Sequence, residues 1–390
     1  MGCSGSSAMA QEISNIESWK IDNLNIRKLS QDYTVLATGA NGFLSSYIIK
    51  YLLQLNYKVK GTVKDLADKQ KQQYIYDIIP QKYCSKNSFI QADLTSENGW
   101  DEAVKDCQYV LHVASPFNYE AKIADAMITS AVKGTQFVLN ACVKCSRNIK
   151  KVILTSSGKA IFEGNTQKAH FDETNWQNYQ NAGFYGNLDK QIFKLIYLSN
   201  NQFSGQSKYY AEKEAWKIYE ENKDKLNFTV INPTLIRGPS LSTKLSASQG
   251  IITNLLNGKL VPQPITLGIV DVGDVAAAHI VAMQEKLSEI TKGKRYIICC
   301  QSMWIKDIAA LLSDYYKQKR PELKINTKEL THEEFEAKVS SVLIYKETLR
   351  QSGQYFVMDN ANSLQELGMQ YVGIYNTIIE TAEEILKNGL

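Results

Sequence analysis

The run Tyr33-Thr34-Val35-Leu36-Ala37-Thr38-Gly39-Ala40-Asn41-Gly42-Phe43-Leu44-Ser45 decides the fold. Its first residues, apolar and β-branched, read as a buried strand, the glycines as a tight turn, and the apolar period opening at Phe43 as a helix. Such a turn lets a pyrophosphate approach the N–H groups of a helix N-terminus, where partial positive charge lies, and glycine removes the Cβ atoms in the way. With a strand before and a helix after, the pattern points to dinucleotide binding rather than to an ordinary tight turn. Gly39, Asn41, Gly42, Phe43 and Leu44 are the candidate contacts. The third glycine position is Ser45, which predicts slightly looser helix–strand packing.

Outward from this turn, strand-like stretches at 57–63, 88–92, 109–113 and 151–155 alternate with helix-like ones from Asp65, over 97–106, and in a long segment ending near Arg147. That βαβ series implies an α/β fold, a doubly wound, Rossmann-like parallel sheet covered on both faces, with a smaller C-terminal substrate lobe. The regularity fails after Phe162, where the Asn/Gln/Tyr-rich stretch 177–202 has no clean period, and resumes with a helix at Ser207 and a strand at 228–231. The expected organisation is a flexible extension over 1–31 and a dinucleotide-binding core over 32–235, with an insertion at about 177–203. A mixed region, 236–390, returns to the core at about 265–300 and forms the substrate lobe.

The chain has 390 residues, 44% hydrophobic and 22% charged, enough for a large core. A net charge of +4 with no long basic run argues against nucleic acid as a partner. The apolar stretch 274–283 is interrupted by His279 and falls short of the roughly 18 residues of a membrane span. Seven cysteines set among apolar residues read as reduced thiols of a cytoplasmic protein, and the lone Cys142-x-x-Cys145 pair is weak support for metal or redox use. The start Met1-Gly2-Cys3-Ser4-Gly5-Ser6 fits the pattern for myristoylation of Gly2, with Cys3 open to palmitate. Two chains would hold a membrane surface firmly; the other reading is a small, polar start. His112, His170, His279 and His332 show no metal spacing, and His112 and His279 sit in apolar patterns as core histidines.

At the end of the second strand an acid would bond the ribose 2′-OH of NAD, but the sequence there is Gly61-Thr62-Val63-Lys64. A cation favours a 2′-phosphate and hence NADP(H), unless Lys64 is a solvated surface charge. Asp93, with Leu94 after the third strand, is placed to meet the adenine edge or to cap the next turn.

The glycine turn, Gly61-Thr62-Val63-Lys64-Asp65, Ala92-Asp93-Leu94, the run 110–116 (VLHVASP), Leu154-Thr155-Ser156-Ser157, the run 232–239 (NPTLIRGP), the run 270–279 (VDVGDVAAAH) and Glu366-Leu367-Gly368 resemble the extended short-chain dehydrogenase/reductase superfamily. The similarity lies with its dihydroflavonol reductase, cinnamoyl-CoA reductase and yeast methylglyoxal reductase branch, within the NAD-dependent epimerase/dehydratase family. It implies NADPH-dependent reduction of a small aldehyde or ketone by a Ser–Tyr–Lys set, and extends the cofactor contacts to Ala114, Ser115, Pro116, Thr155, Lys208, Pro233 and Ile236. A nearby lysine lowers the phenol from its usual value of about 10, so that it can protonate the developing alkoxide. By this resemblance Ser157 orients the substrate.

The family pattern Y-x-x-S-K-x-x-A-E-K-x-A-W matches from Ser207 to Trp216, placing the lysine at Lys208 and the tyrosine at position 204, which is Ser204. A second Y-x-x-x-K, Tyr209 to Lys213, lies one turn later. Lys208 and Lys213 are about 140° apart around a helix, so they cannot both face a cofactor. The flanking residues favour Lys208, with Tyr209 as an alternative donor, and Tyr179, Tyr185 or Tyr197 could enter from the insertion. Loss of a general acid costs about 10²–10⁴-fold. A modified reductase and a non-catalytic pseudoenzyme of the same fold, NADP(H)-binding or structural and open to membrane tethering, therefore both stand; epimerase or dehydratase chemistry would need the same tyrosine.

Overall fold

The computed structural model describes residues 33–68, 73, 76, 87–115, 124–163, 165, 168–177, 201–241, 249–339 and 352–389, with backbone alone at Asn87, 124–126, 201–204 and 339. Gly2, Cys3, Pro116, Tyr179, Tyr185 and Tyr197 lie outside the described residues, as does the side chain of Ser204. The first half runs β1 (Thr34–Ala37), α1 (Phe43–Gln54), β2 (Lys58–Val63), β3 (Asn87–Gln91), α2 (Trp100–Val104), β4 (Tyr109–His112), α3 (Ala124–Lys144), β5 (Lys151–Thr155), α4 (Lys159–Phe162), β6 (His170–Phe171) and α5 (Asn201–Glu221). The second runs β7 (Phe228–Pro233), β8 (Leu235–Arg237), α6 (Gly250–Leu256), β9 (Thr266–Asp271), α7 (Val272–Ala282), α8 (Ser288–Thr291), β10 (Lys294–Ile298), β11 (Gln301–Trp304), α9 (Ile305–Tyr316), α10 (His332–Val339), β12 (Val357–Met358), α11 (Ala361–Gln365) and α12 (Ile374–Lys387).

Seven parallel strands form the central sheet in the order β10-β7-β5-β4-β1-β2-β3. β4, β5 and β7 are buried along their whole length, the reason they read as unbroken apolar runs rather than as alternation. Successive residues serve opposite faces: Ile153 packs with Val35, Leu111 and Ile231 beneath α1 and α7, whereas Val152 and Leu154 pack with Leu36, Val110 and Val230 beneath α2, α3 and α5. Each such side chain contributes about 1.5–3 kcal/mol by leaving water. The order reverses between β1 and β4, so the crevice at the C-terminal ends of these two strands is where a ligand of such a sheet is received.

A second sheet, β11-β9-β8, pairs β8 with β9 in parallel and β11 with β9 antiparallel, and a small ribbon joins β6 to β12. A separate core including Ile252, Leu255, Ile308, Leu312, Phe335 and Ile378 ties α6, α9, α10 and α12 together. Among the described residues no helix is long and apolar enough to cross a membrane.

Three local expectations change. Ser45 leaves no looseness: it is 1% exposed and its hydroxyl donates to Thr38 O at 3.2 Å, filling the third glycine's place. The helix expected over 97–106 covers only Trp100–Val104, because Gly99 takes a left-handed turn (φ 91°) just before it. The helix expected at Ser207 starts at Asn201, where Asn, Ser and Gly carry no apolar period to announce it. After Asp65 the described residues form a turn, with Ala67 N–H donating to the Asp65 carboxylate, and most of the helix expected there falls outside the described residues.

Asp271 caps α7 by accepting Gly273 N–H (2.7 Å), and also accepts the Thr377 hydroxyl (3.1 Å). Burial pushes its carboxyl up to about 6 despite these donors, and burial with the Asp271 charge raises Asp274 further. The folded state therefore binds the proton more tightly than the unfolded chain. The resulting stability is full below about pH 4 and is lost as pH rises through about 6, a change on the order of 3 kcal/mol. Urea denaturation at pH 4.5 and 7.5 will show this extra acid-side stability in the natural chain and a flatter pH dependence in Asp271→Asn; equal slopes would contradict the assignment.

Candidate active site

The crevice is built on Thr38. Its N–H donates to Leu111 O (3.1 Å), while its hydroxyl oxygen accepts Val113 N–H (3.0 Å) and Ala114 N–H (2.8 Å), locking the end of β1 to the loop after β4. With two donors already on it, the hydroxyl gives its own proton to His112 Nδ1 at 3.1 Å, so that nitrogen is unprotonated. Burial, with the nearby Lys208 charge, holds His112 neutral, its pKa pushed down to about 3. His279 is neutral for the same reasons, lowered to about 4. Its Nδ1–H donates to Val275 O (2.7 Å), which leaves Nε2 to accept the Thr155 hydroxyl (2.7 Å).

Gly39 stands in the left-handed region (φ 66°), where a Cβ would press to 3.1 Å on that of Ala114; its N–H donates to Thr62 Oγ1 (2.9 Å). No side chain caps the N-terminus of α1 behind Gly42. A glycine cradle facing an uncapped helix start is the donor set an anion needs, so the residues present fit a dinucleotide pyrophosphate. Asn41 and Gly42 are exposed and Phe43 is half-buried. The Leu44 side chain lies in the core, which leaves only its N–H to the site. Lys64 is 81% exposed and 3.2 Å from Asp93. Partial burial works to raise the Asp93 carboxyl, but the Thr95 hydrogen bonds and Lys64 bring it below its ordinary value. Asp93 also accepts Thr95 N–H (2.9 Å), so it caps the turn as well as pairing with Lys64.

One cleft is lined by Leu94, Ala114, Ser115, Thr155, Lys208 and Glu212, among others. Lys208 Nζ donates to Thr155 O at 2.9 Å, and burial lowers its ammonium to about 8. Lys213 lies elsewhere, 3.5 Å above the Trp176 ring, and the Tyr209 ring meets Trp176 edge-on at 5.8 Å. Ser157 Oγ accepts Lys159 N–H (3.2 Å), and its carbonyl accepts Asn232 Nδ2 (3.2 Å). Pro233 O accepts Gly158 N–H (2.8 Å), and Ile236 packs half-buried on the main core.

Glu212, which the sequence reading did not single out, fixes this arrangement. Fully buried on α5, its carboxylate accepts Ser156 Oγ (2.5 Å), Arg295 Nε (2.6 Å), Asn232 Nδ2 (2.9 Å) and Trp216 Nε1 (3.1 Å). Arg295 also donates to the carbonyls of Glu173 and Asn175 (both 2.8 Å) and lies 3.7 Å over the Trp176 ring. Thr38 and Thr62 were likewise missed as site builders; both sit at strand ends, the one signal available. Nothing near Arg295 in the sequence announces its partner 83 positions away.

The profile of the 3-beta hydroxysteroid dehydrogenase/isomerase family matches residues 36–317. The chain belongs to that family. The chain is 33% identical over 302 residues to tetraketide alpha-pyrone reductase 2 of Arabidopsis thaliana, covering 75% of this chain and 86% of the relative. It is 35% identical over 254 residues to a cinnamoyl-CoA reductase of Medicago truncatula, covering 64% and 72%. Among solved structures it is similar to the yeast methylglyoxal/isovaleraldehyde reductase complexed with NADPH. The TM-score there is 0.71 at 26% identity, with 91% of this chain and 98% of that chain covered. The resemblance read from the motifs and the doubly wound sheet thus stand.

In this family member the Glu212 cluster bears on stability. Removing one partner of a buried ion pair strands the other, at a cost of about 3–5 kcal/mol. Chemical denaturation of Glu212→Gln will show a loss of that order; a loss below about 1 kcal/mol would place the pair among those that contribute little.

Proposed function

We propose that this protein is an NADP(H)-dependent reductase of a small aldehyde or ketone. One observation carries the reading: a single cleft is lined both by Ala114, which abuts the Gly39 cradle, and by Lys208, whose ammonium is fixed on Thr155 O. The relatives and the NADPH-bound yeast structure support it. The turn residues and the N-terminus of α1 would hold the pyrophosphate, and Lys64 would meet the 2′-phosphate, exchanging part of its pairing with Asp93 for it. Lys208 would hold the nicotinamide ribose, and Ser157 would orient the carbonyl. The cofactor, when bound, supplies hydride. The chain's own contribution is to align the carbonyl, shield it and place donors where negative charge develops.

Ser204 favours a second reading, a cofactor-binding protein of the same fold without turnover. Both readings require NADPH binding, so that is tested first. A ligand that binds only the folded state adds about 2.7 kcal/mol at a hundredfold excess over its Kd. NADPH will raise the melting temperature of the natural chain more than NADH does, Lys64→Ala will narrow that difference, and Gly39→Val will abolish the shift. No shift with either nucleotide would remove both readings.

A further inference from the structure

The strands of the main sheet all run the same way, so its N-terminal edge lies opposite the crevice, and a cleft of about 390 Å³ opens there. Tyr109 and Lys151 are the first residues of β4 and β5, and Asn227 comes just before β7. All three line this cleft, and it shares no lining residue with the cleft of Lys208. We propose that it binds a sugar phosphate, with lysines on the phosphate and with carboxylate and carboxamide oxygens on the sugar hydroxyls. The volume is in the range of small-ligand sites and exceeds what a lone phosphate fills.

Lys151 is the residue that points to an anion. It is 1% exposed, yet its ammonium donates only to neutral oxygens, Thr291 Oγ1 and, at 3.3 Å, Ser288 O. A cation held out of water is stable only beside an opposite charge, and among the described residues no carboxylate forms an ion pair with it. Burial pushes its pKa down to about 7, the Glu289 charge acting against this and the Lys292 charge with it. Lys225 and Lys292 also line the cleft and form no ion pair among the described residues, whereas Lys150 is held by Glu285 at 2.6 Å. Three lysines answer more than the single charge of a carboxylate, and a phosphate monoester carries about two.

The rest of the lining suits hydroxyls. Asp224 and Glu289 share the cleft with the lysines, and ionised carboxylates only accept, which is what a set of sugar O–H groups requires. Asn227 adds an acceptor. Its Nδ2 donates to Ser288 Oγ at 2.7 Å, while its Oδ1 is buried with no partner. Tyr109, 1% exposed, likewise has a buried hydroxyl with no partner. Unpaired buried polar atoms are costly, and sugar hydroxyls at this wall can donate to the one and accept from the other.

The test is calorimetric titration of the full chain, with and without NADPH, using glucose 6-phosphate, inorganic phosphate and glucose as probes. Glucose 6-phosphate is expected to bind one to one, equally well with NADPH present, and at least about tenfold more tightly than either of the other probes. The pair Lys225→Ser and Lys292→Ser, at two exposed positions, will weaken it about tenfold while leaving the melting temperature of the free chain unchanged. At pH 8 binding will take up a proton, because the phosphate draws Lys151 into its charged form. That uptake, read from the dependence of the heat on the buffer, will be lost in Lys151→Met. No binding of glucose 6-phosphate by about 10 mM would overturn the proposal. So would displacement by NADPH, which would put the ligand in the crevice, or an affinity that survives all three lysine substitutions. Inorganic phosphate binding as tightly as the hexose phosphate would leave a bare anion site and overturn it as well.

Discussion

The buried carboxylate of Glu212 is the constraint on which the site depends. It gathers donors from the loop after β5, from β7, from β10 and from its own helix, and so fixes the height and rotation of α5 against the sheet. An ionised carboxylate out of water is tolerable only when its lone pairs are satisfied, and here four donors converge on it. Because Lys208 lies one turn before Glu212, the same bonds set its ammonium on Thr155 O. Arg295 carries the constraint outward to the 173–176 strap, and Glu173 ties that strap back through Ile297 N–H and Asn362. Stability and the geometry of the cleft are therefore coupled at one residue.

A second polar centre does the same for the other wall. Thr38 receives two backbone donors and passes its own proton to His112, so the loops after β1 and β4 are joined by a single hydroxyl. Neutral His112 and His279 flank the Lys208 charge without adding to it, which lets a buried cation persist at the cleft. A charged imidazole at either place would repel the Lys208 ammonium.

What was legible in the sequence follows from the range of the interactions. The glycine turn, α1, the strands and the doubly wound order rest on local period and short-range sterics, and they stand in the structure. The register that singles out Lys208 was legible because the flanking Ser207 and Ala211-Glu212-Lys213 fix a helix face. In the structure Lys208 lies at the cleft and Lys213 on Trp176. The role of Glu212 was hidden, since a glutamate between alanine and lysine reads as a solvated face until the topology brings Arg295 to it. The start of α5 escaped notice because Asn, Ser and Gly have low helix propensity there, and tertiary contact supplies what propensity lacks.

The central claim, that α5 presents Lys208 and not Lys213 to the cofactor, is tested most directly by NADPH affinity in three proteins. Fluorescence titration of the natural chain, Lys208→Met and Lys213→Met is predicted to give a Kd raised about tenfold or more in the first variant and changed less than about twofold in the second. The reverse pattern, with Lys213→Met losing affinity and Lys208→Met keeping it, would contradict the account.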